Sequence, residues 1–167
     1  DLCQTTNVES TDRYTGFEKI SFIPDANPEL NLEDLSSHVN FLGRKFTAPL
    51  MITGMTGGTE KGYEINQNLA YAANKLGIPM GIGSQRIALD RKDYRHIFQM
   101  KELYPDLFLI GNIGFTQVAE SANPAQLIKN LTEMIDADAI AIHLNTLQEL
   151  IQTEGNRNFK GFLNSLE

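Results

Sequence analysis

From residue 48 onward the hydrophobic positions fall into short, regularly spaced runs. APLMITG (48–54), IPMGIG (78–83), LFLIGNIG (107–114) and AIAIHLN (139–145) are each too short for a helix and bounded by Gly, Pro or Asn. They are apolar on both faces, which is the pattern of a buried parallel strand. Between them the apolar period changes to the helical one. In EKGYEINQNLAYAANKLG, Ile65, Leu69, Ala73 and Leu76 form a stripe and Gly77 supplies a stop. In ANPAQLIKNLTEMID, Asn123 is a candidate cap, Pro124 sits at the first helical position, and Leu127, Leu131 and Met134/Ile135 form the stripe. DYRHIFQMKELYP is less regular, with Tyr94, Ile97/Phe98 and Leu103 facing inward, and FKGFLNSLE places Phe159, Phe162, Leu163 and Leu166 on one helical face.

Ahead of this region the pattern is mixed. Phe17, Ile20, Phe22 and Ile23 lie among polar residues, a loop follows, and Val39–Leu42 and Lys45–Thr47 flank a Gly-Arg turn, predicting a short hairpin. The domain expectation is therefore an extension and hairpin over 1–47, then an alternating βα region over 48–167. Alternation of this kind implies a parallel sheet with right-handed crossovers. Two architectures satisfy it: an open doubly wound sheet, or half of a (β/α)₈ TIM barrel, which takes roughly 250 residues when whole. Since the chain stops at its fourth helix without a closing element, truncation is expected.

Composition narrows the function classes. The 167 residues carry 14 Lys+Arg against 21 Asp+Glu, a formal net charge of −7, with 41% hydrophobic and 21% charged residues. No basic run offsets the acidity, so nucleic acid is not an expected partner. No apolar stretch reaches ~18 residues, so no membrane span is expected. DLCQTTNVES lacks the charge and apolar pattern of a secretory signal, and the expected location is the cytoplasm. Cys3 is the single cysteine, which removes an internal disulfide framework and a Cys-based zinc site.

In either architecture ligands bind at the carboxyl ends of the strands. Those ends read Thr53-Gly54-Met55-Thr56-Gly57-Gly58, Gly83-Ser84-Gln85-Arg86, Asn112-Ile113-Gly114 and His143-Leu144-Asn145. All four are polar or glycine-rich, whereas the opposite ends are mostly apolar or Pro-bearing. The glycines permit close backbone approach, to a ligand or equally within a tight turn, and Met55 suits a flat apolar ring. No GK[ST] follows, so this is not a P-loop. Arg86 is a fork for phosphate or carboxylate, or a surface partner of Asp90 or Asp93. Asn112 could bond a heterocycle edge or cap a turn. His143 and Asn145 point to the same side of a strand. Glu149, after Gln148, is a hard oxygen donor: one carboxylate plus a substrate diphosphate commonly holds Mg²⁺, although a solvated helix start reads the same way. Glu154 and Arg157 stand nearby as supporting groups or as ordinary surface charges.

APLMITGMTGGTEKGYEINQNLA, GIGSQR, GNIG and AIHLNTLQELIQTEGNRNFKGF together resemble the type 2 isopentenyl-diphosphate isomerases, FMN-dependent enzymes of isoprenoid synthesis, over their N-terminal half. The resemblance implies the (β/α)₈ barrel and hence its first half here. It implies FMN contacts at Thr53, Gly54, Met55, Thr56, Ser84 and Asn112. Substrate contacts are implied at Ser84, Gln85, Arg86, His143, Asn145 and Gln148, with Gln148 and His143 catalytic and Glu149 binding Mg²⁺. It further implies interconversion of isopentenyl and dimethylallyl diphosphate with reduced FMN as the acid/base, NADPH as the flavin reductant, and a homo-oligomer. A basic substrate motif upstream and a flavin-phosphate grip downstream, both part of the implied pattern, are absent from these residues. The alternatives are another FMN-dependent barrel of the 2-hydroxy-acid oxidase kind, and an inactive half-barrel that only folds or associates.

Overall fold

The computed structural model describes residues 14–153 and 155–165, so Cys3, Glu154 and Leu166 lie outside the described residues. The chain divides into two units, 1–36 and 37–167. In the first, the described residues form two isolated 3₁₀ turns, Phe17–Lys19 and Leu32–Asp34, with no buried residue in either. Phe17, Ile20, Phe22 and Ile23 are all exposed.

The second unit opens with the expected hairpin, β1 (Val39–Phe41) and β2 (Arg44–Phe46), paired antiparallel with Phe41 opposite Arg44. Its two-residue turn places Leu42 at φ 48° and Gly43 at φ 78°, the positive φ values that a tight hairpin turn demands. Phe46 is buried edge-on against Phe108 at 5.2 Å.

Next comes helix α1 (Glu60–Leu76). The Thr59 hydroxyl accepts from the Gly62 N–H at 3.0 Å, and Gly77 closes the helix in the left-handed region at φ 64°. The buried face runs through Gly62, Asn66, Ala70 and Ala73, one position round from the expected stripe, and Leu76 is exposed. The rotation has a polar cause. Asn66 is fully buried because its amide donates to the Ile97 carbonyl at 3.1 Å and its oxygen accepts from the Thr56 hydroxyl.

Three strands then form one parallel sheet in the order β3 (Met80–Gly81), β4 (Leu109–Gly114), β5 (Ala139–His143). Its register pairs Met80 with Leu109, Ile110 with Ala139, and Gly114 with His143. Met80, Ile82, Leu107 and Leu109 pack with Ala70 and Ala73 of α1, and with Ile97, Phe98 and Met100 from the 3₁₀ turns Lys92–Phe98 and Met100–Glu102. Helix α4 (Pro124–Ile135) starts where Asn123 Oδ1 accepts from the Gln126 N–H at 3.0 Å, and it buries Leu131 and Ile135. At the amino ends of β4 and β5, Lys101 Nζ lies 3.0 Å from Asp138 and 3.8 Å from Asp136. The same Asp138 carboxylate accepts from the Leu109 N–H at 2.8 Å.

Two expectations are corrected here. The first apolar run, 48–54, is not a strand: it contributes a single parallel bridge, Ile52 to Met80. Pro49 has no N–H to give to a ladder, and residues 51–58 alternate between exposed and half-buried, as an uncovered edge does. The expected first half of a (β/α)₈ barrel is also not seen among the described residues. The described residues form a small α/β domain whose parallel sheet has three strands and is open, with β5 at one edge and the Ile52 bridge at the other.

Three short helices follow strand ends: α2 (Arg86–Asp90), α3 (Phe115–Glu120) and α5 (Thr146–Ile151). The helix expected over 159–167 reduces, among the described residues, to one 3₁₀ turn, Leu163–Ser165. Phe159 and Phe162 instead each lie 5.6 Å from the Phe115 ring. No helix among the described residues is long and apolar enough to cross a membrane.

Candidate functional site

The carboxyl ends of β3 and β5 and the first turns of α2, α3 and α5 border one open cleft of about 420 Å³. Ser84, Arg86, His143, Asn145, Gln148 and Glu149 line it. These positions span more than sixty residues of sequence, and the parallel crossovers bring them together.

Helix α5 explains how Glu149 is held. Glu149 N–H donates to the Asn145 carbonyl at 3.0 Å, closing the first turn. Asn145 Nδ2 meanwhile donates to Glu149 Oε1 at 3.1 Å. The chain then folds back so that the Asn156 N–H donates to Oε2 at 2.7 Å. A Cβ at Gly155 would lie 1.8 Å from the Glu149 carbonyl oxygen, so this return requires glycine. The result is a glutamate only 4% exposed as a residue, at the cleft wall. Asn145 Oδ1 is buried beside it with no hydrogen-bond partner among the described residues.

His143 ends β5 with Nδ1 2.7 Å from Asn112 Oδ1. Burial pushes the imidazole below its usual pKa, and the nearby Glu149 carboxylate partly opposes this. Arg86 is exposed on the cleft and makes no ion pair among the described residues. Asp93, a partner weighed for it, pairs with Arg91 at 2.8 Å. That pairing holds the Asp93 carboxyl below its ordinary range.

The other expected site residues lie elsewhere. Gln85 is fully buried: Nε2 donates to the Leu131 carbonyl at 3.0 Å and Oε1 accepts from the Asn112 N–H at 3.0 Å. Its side chain faces the core between β4 and α4. Thr53 and Met55 are exposed outside the cleft lining. Gly54 serves backbone packing, since a Cβ there would lie 2.0 Å from the Ile82 oxygen. The Thr56 hydroxyl is committed to Asn66. Of the MTGGT loop, Gly58 reaches the cleft.

Asp90, Gln117 and Gln152 also line the cleft; Asp90 was expected only as a surface partner of Arg86, and the two glutamines were not expected. Two of them had a readable signature. Asp90 stands four residues after Arg86, and Gln152 four after Gln148, the spacing that puts side chains on one helical face.

No protein-family profile matches the chain. Relatives do. An isopentenyl-diphosphate delta-isomerase of Pyrococcus furiosus is 43% identical over 98% of this chain and 43% of its own length. That of Pyrococcus abyssi is 44% identical over 98% of the chain and 46% of its length. That of Rickettsia rickettsii is 45% identical over 95% of the chain and 46% of its length. The chain is similar to isopentenyl-diphosphate delta-isomerases. It spans a little under half the length of these relatives. This corrects the narrower resemblance to the N-terminal half of a type 2, FMN-dependent enzyme. The relatives are named isopentenyl-diphosphate delta-isomerase with neither type nor flavin specified, so similarity to that wider group replaces the type 2 assignment.

The donor set suits a hard divalent cation. Glu149 presents a fixed carboxylate, each oxygen of which has a second lone pair, and the Asn145 oxygen, without a partner among the described residues, lies alongside. It suits a flavin less well, because of the six expected contacts only Ser84 lines the cleft.

Proposed function

We propose that the cleft binds the diphosphate of isopentenyl or dimethylallyl diphosphate and that the chain takes part in their interconversion. The observation that carries this reading is the convergence of Arg86, lacking a carboxylate partner among the described residues, with Ser84, His143, Asn145, Gln148 and Glu149 on one cleft, in a chain 43% identical to a named isomerase. Arg86 offsets the diphosphate charge by a forked, charge-assisted contact. Ser84 and Asn145 fix its orientation, with His143 beside them. Glu149 would hold Mg²⁺, which would offset the negative charge of the diphosphate. Gln148 lies beside the hydrocarbon. The reaction adds a proton to the terminal alkene carbon and removes one from the carbon on the far side of the double bond. No electrons are consumed. FMN with NADPH as its reductant belongs to the proposal as a cofactor requirement to be tested, and no step is derived through it.

The test is calorimetric titration of the 167-residue chain with inorganic diphosphate, with and without Mg²⁺. Isopentenyl diphosphate is then supplied with Mg²⁺, in the presence and absence of FMN and NADPH. Binding that needs Arg86 and strengthens with Mg²⁺ is expected. A folded chain that binds no diphosphate under either condition overturns the reading.

A further inference from the structure

We infer that Asn112 is a positioning residue that fixes the tautomer of His143, so that the imidazole presents Nε2 to the cleft as an acceptor. Parallel pairing sets Gly114 opposite His143 and Asn112 opposite Ala141, which leaves the Asn112 side chain one register step back along β4. From there its Oδ1 reaches His143 Nδ1 at 2.7 Å. An amide oxygen only accepts, so the proton of that bond belongs to Nδ1. In a neutral imidazole the other nitrogen is then a lone pair. His143 Nε2 makes no hydrogen bond among the described residues, and the residue lines the cleft. A Cβ on Gly114 would collide with Gln117 Oε1 and come within 3.2 Å of Nε2, so glycine there leaves room for both side chains.

The arrangement is braced from behind. Asn112 cannot drift along β4, because its N–H is held by Gln85 Oε1 at 3.0 Å, and the Asn112 carbonyl accepts from the Gln85 N–H at 2.8 Å. Gln85 is in turn anchored on helix α4 through the Leu131 carbonyl at 3.0 Å. A buried amide thus secures the strand, the strand secures Asn112, and Asn112 secures the ring.

The consequence concerns the ligand. A lone pair at Nε2 repels a fully ionised phosphate oxygen and favours a group that brings a hydrogen: a water, a hydroxyl, or a phosphate oxygen that still carries its proton. His143 therefore adds a neutral hydrogen acceptor to a cleft whose lining also holds the donors Arg86, Gln148 and Asn145 and the carboxylates of Asp90 and Glu149. This consequence rests on the reading of the cleft as a diphosphate site. The tautomer itself does not, and it is measured without ligand, so the two fail separately.

The experiment is two-bond ¹H–¹⁵N NMR of the imidazoles in the ¹⁵N-labelled 167-residue chain at pH 7.5, with His143 assigned by its loss in His143→Gln. The expected wild-type pattern is the Nδ1–H tautomer. Asn112→Leu removes the acceptor and should shift His143 to the Nε2–H form or to a mixture, while Asn112→Asp, which keeps an acceptor, should preserve Nδ1–H. An Nε2–H tautomer in the wild type overturns the inference without recourse to any variant. An unchanged Nδ1–H signal in a folded Asn112→Leu chain does so as well.

Discussion

Replacing Gln85 by leucine removes a buried amide that joins β4 to α4 while nearly preserving side-chain volume. The wild-type amide makes two hydrogen bonds at 3.0 Å, to the Leu131 carbonyl and from the Asn112 N–H, beside a long, weak one of 3.9 Å to Met134 Sδ. Leu131 lies inside α4 and keeps its helical acceptor role, so losing the first bond costs about 0.5–1 kcal/mol. The Asn112 N–H is left without its acceptor, at a cost of about 1–3 kcal/mol. The leucine regains part of this through apolar contact with the core, leaving a net loss of about 2 kcal/mol. For a chain of this size that corresponds to a melting temperature lower by about 4–8 °C. With a urea slope near ~2 kcal/mol/M, the midpoint falls by about 1 M. Urea unfolding followed by circular dichroism measures it directly. Arg86→Ala is the control: as an exposed residue it should change stability by less than ~0.5 kcal/mol, but weaken inorganic diphosphate binding by about tenfold, the loss of one charge-assisted contact. The reasoning is refuted if Gln85→Leu matches the wild-type midpoint and loses diphosphate binding as Arg86→Ala does, for the amide would then be facing ligand.

Gly54→Ala should lower stability by about 1–3 kcal/mol, because the new methyl meets the Ile82 backbone rather than a flexible side chain; a melting temperature within 1 °C of wild type, to order of magnitude of the overpacking cost, would contradict that packing. Glu149→Gln should abolish the strengthening of diphosphate binding by Mg²⁺ in calorimetry, whereas an unchanged Mg²⁺ effect removes Glu149 as the cation's ligand. Lowering the pH should destabilise the chain through His143. Its folded pKa is depressed, so the unfolded chain takes up the proton first as pH falls below ~6.5. The stability contributed by the neutral ring is present above that value and declines as pH drops toward the folded pKa. Urea midpoints at pH 7.5 and 5.5 should therefore differ less in His143→Gln than in the wild type, and equal pH dependence would contradict the assignment.

Much of this architecture could be read from local patterns. Helices α1 and α4 are long enough to show a period and carry their own caps in Thr59, Gly77 and Asn123, so neighbouring residues alone specify their ends. The hairpin and the strand runs behind β3, β4 and β5 were equally plain. Helices α2, α3 and α5 span five or six residues, fewer than two turns, and no hydrophobic period can be established over that length. The run at 48–54 looked like its three companions because apolarity does not report whether a partner strand is present on each side. Among the residues lining the cleft, Arg86 and His143 followed from the rule that strand ends carry chemistry, and Gln148 from the family resemblance. Gln85 was placed there by the same rule, yet which way a side chain turns depends on Asn112 and Leu131, far away in sequence. The burial of Glu149 likewise depends on the return of the chain at Gly155 and Asn156.

The clamp at the other end of the sheet bears on how such a scaffold can change. Lys101, held by Asp136 and Asp138, and the grip of Asp138 on the Leu109 N–H tie down the starts of β4 and β5, and none of these residues borders the cleft. A lineage, or an engineer, could therefore exchange Ser84, Arg86 or Gln148 for other chemistries while the foundation stayed intact. Damage to the clamp would instead loosen the rim residues that β4 and β5 carry forward, His143, Asn145, Gln148 and Glu149 among them, whatever the substrate.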